Sequence, residues 1–221
     1  DRAVVIAYDV GYEPQAQGYY GKLGILSNEA LKPFDTAHNG TILGEGAAAI
    51  VLESEKSLNA RGALPLAQMK AGMTTGDAQG IFSVDQDAQG LMNLVNGLMN
   101  KAKVSSPDLA MLVAHGNGNA KSDITESIAY AETTPDSPVT GFKWSYGHTL
   151  CASGLLDTVM AVKALCHKTI PGIATFEKLS VDCRSIAISK THRETTGTHS
   201  LIINRGFGGL NSGVVICDTG K

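Results

Sequence analysis

Apolar and polar positions alternate along this chain in blocks that set out its elements. Asp1-Arg-Ala-Val-Val-Ile-Ala-Tyr8 opens on a β-branched run that reads as a buried strand already inside a sheet, not as a natural N-terminus. Residues 9–40 are rich in Gly, Asn, Pro and Tyr and read as an irregular or partly helical excursion, with a turn at Asn39-Gly40. Gly46–Glu53 is a second buried strand, followed by a polar connection over Ser54–Gly62. From Leu64 strands and helices take turns. Leu64–Met73 reads as a strand. Leu91, Leu94, Val95, Leu98 and Ala102 mark one face of a helix over 86–103. Leu109–Ala114 is a strand that delivers His115. Asp123-Ile-Thr-Glu126 has capping-box spacing and predicts a helix through about Glu132. Leu155, Val159, Val162 and Cys166 define a helix over 150–167, and strands around His199–Asn204 and Ser212–Cys217 close the chain.

Strands alternating with helices predict a layered α/β architecture. A boundary is expected near 54–63. Residues 1–57 would then be the last strands of one unit and residues 58–221 a second unit.

Composition narrows the function classes. At 221 residues and 43% hydrophobic, the chain can bury a substantial core. Its net charge of −3 gives no reason to expect nucleic acid or an acidic membrane as partner. No apolar run reaches the roughly 20 residues of a membrane span, and no basic-then-apolar leader opens it. Cys151, Cys166, Cys183 and Cys217 lie far apart without a CxxC pair. That disfavours a metal site or disulfide framework, predicts buried free thiols, and suits the cytoplasm.

Two histidines stand where chemistry is expected. His115 ends an apolar strand and is followed by Gly116-Asn117-Gly118-Asn119; His148 follows Gly147 just ahead of a helix. A strand end and a helix start can aim both rings into one pocket, and imidazole suits proton transfer or hydrogen-bond donation near neutral pH. His38, His167, His192 and His199 lack such context and read as surface or satisfied core residues.

Four segments in order give this chain a resemblance to a family. They are Lys32-Pro-Phe-Asp35 with Gly44-Glu-Gly-Ala47; Ala114-His115-Gly116; Lys143 with Gly147-His148 and Ala152-Ser-Gly154; and Gly206-Phe-Gly-Gly209 with Asn211. Together they resemble the β-ketoacyl-acyl-carrier-protein synthases of the thiolase-like superfamily. The resemblance implies a five-layered α-β-α-β-α fold, of which this chain would hold the end of the first half and all of the second. It implies decarboxylative Claisen condensation in fatty-acid or type II polyketide or polyene synthesis. It gives His115 and His148 the role of N–H donors to a malonyl-derived enolate, supported by Lys143. Asp157 would partner that lysine, while Asp123 and Glu126 would be supporting or capping residues. Gly206, Phe207, Gly208 and Gly209 would form a gating and oxyanion loop. No resident cofactor or metal is implied; an acyl carrier protein would deliver a phosphopantetheine arm, with Asn117 and Asn119 facing it.

The sequence also departs from the family. No segment resembles its nucleophile elbow, so the acyl-carrying cysteine is expected upstream of Asp1, and Cys151 reads as small-residue packing. The chain would then be a fragment, a cleavage product or a split subunit, inactive alone and completed by the other half in a dimeric assembly. Asn117 and Asn119 stand where threonines are usual, and Arg205 where an aromatic residue is common, which points toward a specialised pathway. A non-catalytic chain-length-factor subunit beside a ketosynthase is the alternative, disfavoured by retention of both histidines and Lys143. A thiolase is weaker still, because Phe207 stands where that branch carries a second cysteine.

Overall fold

The protein is described by a computed structural model that covers residues 1–80 and 83–220. The first stretch holds strand β1 (Arg2–Val10), helix α1 (Pro14–Lys22), β2 (Glu45–Glu53) and α2 (Glu55–Ala60). Next come β3 (Gln68–Gly76), α3 (Gln89–Ala102), β4 (Leu109–Val113), α4 (Ala120–Thr133), β5 (Pro138–Thr140), α5 (Lys143–Tyr146) and α6 (Ser153–Cys166). The last are β6 (Thr169–Ile170), β7 (Ala187–Ile188), β8 (Arg193–Glu194), β9 (His199–Gly206) and β10 (Leu210–Cys217).

Every residue of β4 is buried. A strand covered on both faces needs apolar residues throughout instead of alternation. Leu109 and Leu112 accordingly enter one core, while Ala110, Met111 and Val113 enter another. β4 lies inside a six-stranded sheet ordered β3-β10-β9-β4-β5-β7, antiparallel at the β3 edge and parallel from β9 onward. α3 and α4 cover one face, with Leu91, Leu94, Val95 and Leu98 wholly buried. α6 covers the other face, through Ala161, Ala164 and Leu165. On its far side α6 meets β2, so it is sandwiched between the sheet and a β1–β2 ribbon. Four layers of the expected series follow in order: helices, sheet, helix, ribbon.

The structure corrects several expectations. β1 and β2 are strands and pair antiparallel from Arg2–Glu53 to Val10–Glu45, but they are not buried. A two-stranded ribbon has α6 and its preceding turn on one face only, so Val4, Ile6, Tyr8 and Val51 point away from the protein. The polar connection after Glu53 contains α2, capped by the Ser54 hydroxyl, which accepts from the Ser57 amide. The strand expected at 64–73 is shifted to 68–76, in register with β10. α4 starts at Ala120 with Asn119 as its cap, not at Asp123. Asn119 wins because its Oδ1 reaches the Ser122 amide at 3.5 Å, one turn earlier. Of the four thiols only Cys217 is buried; Cys151 and Cys166, at the two ends of the α6 segment, are exposed.

Candidate active site

His115 lies two residues beyond the end of β4 and is 3% exposed. His148 is held by a strap from far upstream: its amide donates to Ile42 O at 2.7 Å, and its own carbonyl accepts from the Gly44 amide at 3.0 Å. The two backbones cross so closely that a Cβ on Gly44 would lie 2.0 Å from Tyr146 O, and one on Gly147 would lie 2.9 Å from Gly44 N. The Gly44-Glu-Gly-Ala47 and Gly147-His148 motifs are therefore one device. The result sets the imidazoles edge to face, with ring centroids 5.2 Å apart at 79°.

The hydrogen bonds fix both tautomers. A backbone N–H can only donate, so the nitrogen that receives it carries no proton. His115 Nδ1 accepts from the Arg205 amide at 3.3 Å. His148 Nδ1 accepts from the Leu150 amide at 3.2 Å and lies 2.9 Å from the Ser153 hydroxyl. Each ring must then carry its proton on Nε2. Burial, and next the Lys143 cation, hold His115 well below the ordinary histidine value; the same two causes bring His148 down to about 3. Both are neutral N–H donors at physiological pH.

Lys143 has no exposed surface. Its Nζ donates to Asp157 Oδ2 at 2.7 Å and to Asn204 Oδ1 at 3.4 Å. Asp157 also accepts from the Tyr146 hydroxyl at 2.7 Å and from Asn204 Nδ2 at 3.2 Å. The shorter acid therefore reaches the lysine. Tyr146 and Asn204 complete this network and escaped the sequence reading. Tyr146 lies three residues after Lys143 on the same short helix, a spacing that brings side chains together and could have flagged it. Asn204 carried one signal, a polar residue ending a buried strand.

Asp123 and Glu126 are both fully buried, on the side of α4 facing the protein. Asp123 Oδ2 accepts from the Phe34 amide at 2.7 Å and lies 3.2 Å from His38 Nδ1, tying the early excursion to α4. Glu126 accepts from the Gly116 amide at 3.2 Å and the Tyr130 hydroxyl at 2.7 Å, so it secures the residue after His115. Burial raises its carboxyl to about 7. Asn117 Oδ1 accepts from the Asn119 amide at 3.0 Å, and Asn119 Oδ1 caps α4. Both carbonyl oxygens thus serve the turn itself. Residues 207–209 form a single turn between β9 and β10, with Gly208 and Gly209 at φ of 80° and 71°, a region that favours glycine. Phe207 is 48% exposed, and its ring stacks on Tyr20 at 6.0 Å. Among the described residues, no group of three His, Cys, Asp or Glu side chains could hold a metal ion.

This arrangement suits a nascent oxyanion: two adjacent imidazole N–H donors, water largely excluded, and a buried cation behind them. Comparison with known proteins places the chain in a family. Residues 66–177 match the family described as beta-ketoacyl synthase, C-terminal domain, and residues 1–57 match its N-terminal domain. The ketoacyl synthase alpha subunit of tetracenomycin polyketide synthase from Streptomyces glaucescens is 29% identical over 191 residues, 85% of this chain and 45% of that protein. The 3-oxoacyl-[acyl-carrier-protein] synthase 2 of Coxiella burnetii is 28% identical over 192 residues, 85% and 46% of the two chains. The chain thus spans about half the length of the curated relatives it matches. Among solved structures, the ishigamide ketosynthase/chain length factor superposes with a TM-score of 0.89 at 24% identity, over all of this chain and 54% of that one. A beta-ketoacyl synthase from Burkholderia phymatum gives 0.89 at 22% identity, over 99% and 55%. These likenesses establish the thiolase-like layered fold, and with the matched residues they establish that the chain belongs to the beta-ketoacyl synthase family.

Proposed function

We propose that this chain forms the decarboxylating half of a ketosynthase site, in a protein that condenses an acyl thioester with malonyl-acyl carrier protein. One observation carries the reading: the His115 and His148 rings are adjacent, each with Nδ1 accepting a backbone amide so that Nε2 is left to donate, and Lys143 is buried behind them. When malonyl thioester loses carbon dioxide, the C–C bonding pair moves into an enolate whose charge rests on the thioester oxygen. Two N–H donors stabilise that oxygen, while an imidazolium would be a competing proton source at the nascent carbanion. The enolate carbon then attacks an acyl thioester carbonyl and expels the cysteine thiolate; that cysteine is supplied from outside residues 1–221. The Gly206–Gly209 loop contributes the oxyanion amide and Phe207 the gate. Asn117 and Asn119 offer their amide N–H groups to the phosphopantetheine arm, since their oxygens hold the turn. The partners are an acyl carrier protein and the chain or subunit that completes the fold, as in the ketosynthase/chain length factor pair named above. Residues 1–57 would belong to the first half of that fold and 58–221 to the second.

The test is malonyl-thioester decarboxylation by the full-length protein. His115→Ala and His148→Ala should each lower kcat by about a hundredfold or more, the typical cost of removing one oxyanion donor. His148→Gln, which retains an N–H donor, should recover part of the loss. Wild-type rates in both alanine variants would refute these roles.

A further inference from the structure

The chain enters the 206–209 loop through Arg205, and that residue is anchored on three sides. Its side chain is 8% exposed. Nε donates to Asn211 Oδ1 at 2.9 Å, on the strand that leaves the loop. Nη1 donates to Ser122 Oγ at 3.3 Å and to Ser122 O at 3.4 Å, in the first turn of α4. Nη2 donates to Asp77 Oδ2 at 3.4 Å, just beyond β3. One planar guanidinium thus joins the sheet edge, a covering helix and the returning strand.

Asp77 closes the circuit. Its Oδ1 accepts from Asn211 Nδ2 at 2.6 Å, and its amide donates to Gly209 O at 2.9 Å. The fit around it is tight: a Cβ on Gly90 would lie 2.2 Å from Asp77 Oδ1, and one on Gly209 would lie 2.9 Å from the Asp77 Cβ. The loop is therefore held at its entry by Arg205 and at its exit by Gly209 and Asn211, with Asp77 common to both. The amide of the same Arg205 is what His115 Nδ1 accepts.

We propose that Arg205 is a positioning residue: forked among Asp77, Ser122 and Asn211, it pins both ends of the 206–209 loop and holds its own amide on His115 Nδ1. Movement of the gate is then confined to Phe207 and Gly208, between two fixed ends. A lysine at 205 keeps the charge but, as a single ammonium on a flexible stem, cannot reproduce the fork. An asparagine at 77 keeps the shape but loses the anionic acceptor shared by Arg205 and Asn211.

This inference deepens the ketosynthase reading and rests on it only for its kinetic consequence. The experiment is amide hydrogen exchange of the full-length protein, unsubstituted and as Arg205→Lys and Asp77→Asn, followed over 204–211 and over α6. Both variants should accelerate exchange at 206–210 by about tenfold or more, as expected for loss of a charge-assisted hydrogen bond, with α6 unchanged. Unchanged loop exchange in both variants overturns the pin. Equal acceleration in α6 also overturns it, since Arg205 would then merely support the whole fold. Malonyl-thioester decarboxylation by the same samples is the second readout: kcat should fall about tenfold or more in Arg205→Lys, with KM little changed, because a donor is displaced and not removed. Loosened loop exchange in a protein whose unsubstituted form never decarboxylates malonyl thioester leaves the pin standing and defeats the ketosynthase reading instead.

Discussion

Lys143 and Asp157 form an ion pair from which both side chains are fully withdrawn from solvent. A buried pair adds little net stability over an apolar pair of similar shape, but removing one partner strands the other charge. Lys143→Met should therefore destabilise the protein by about 3–5 kcal/mol in denaturant unfolding, and Lys143→Met with Asp157→Leu should recover most of that loss. Decarboxylation should stay low in both, because the cation behind the histidines is gone. Recovered activity in the double variant would show that Lys143 serves only the fold. The neighbouring histidines give stability a pH dependence of known sign. Both are held below the ordinary value of 6.5, so below that pH the unfolded chain binds protons that the native site refuses. Each histidine thus removes stability as the pH falls from 6.5, His148 by about 1.4 kcal/mol per pH unit down to about 3. Glu126 acts in the opposite sense: raised from 4.5 to about 7, it contributes stability that is complete below 4.5 and lost as pH rises through 7. Between 6.5 and 4.5 the gain at Glu126 offsets about the slope of His148, and His115 adds a further loss as the pH falls. Glu126→Gln removes that offset and should steepen the loss, which melting temperatures across that window would show.

Backbone crossing, more than propensity, places the site's second histidine. Gly147 stands at φ 77° and ψ 177°, a conformation almost confined to glycine, at the C-terminal end of α5 and against Gly44. Gly44→Ala would drive a methyl group into Tyr146 O, and Gly147→Ala would add backbone strain to a clash. Either change should lower the melting temperature and, by shifting His148, reduce decarboxylation about a hundredfold. Full activity in Gly44→Ala would mean that the strap does not position the ring. Elements like α3 and β4 were legible because their burial is written in local periodicity: the Leu91–Leu98 stripe and the Leu109–Ala114 run each name their own face. What the sequence could not display is burial decided by distant partners. Asp123 has capping-box spacing, yet it accepts from Phe34, 89 residues earlier, and leaves the cap to Asn119. Asn204 reaches the Lys143–Asp157 pair for the same reason: the fold brings it there from 47 residues beyond Asp157. The two histidines were legible as a pair, but their tautomers depend on the Arg205 and Leu150 amides, which only the folded backbone supplies.

At the scale of the whole molecule, the apolar face of the β1–β2 ribbon is the feature that water suits least. The register sets Val4 opposite Val51, Ile6 opposite Ala49 and Tyr8 opposite Ala47, so these side chains share one face. Val4, Ile6, Tyr8 and Val51 are 64%, 67%, 72% and 64% exposed, and Val10 extends the row at 49%. The opposite face has a partner: Asp9 Oδ2 accepts from the Cys151 amide, and Gly46 lies against Leu156 of α6. Open strand edges beside a contiguous apolar face make a template for association. Residues 1–221 prepared alone should therefore self-associate through this ribbon, and light scattering after size exclusion should show a mass that rises with concentration. Ile6→Glu with Val51→Lys places opposite charges on that face without touching β4, α6 or the histidines. The substituted chain should run as a monomer with an unchanged melting profile for the sheet and its helices. Association that persists in the double variant would move the contact elsewhere, with Leu64 and Leu66, 69% and 70% exposed, the next surface to test.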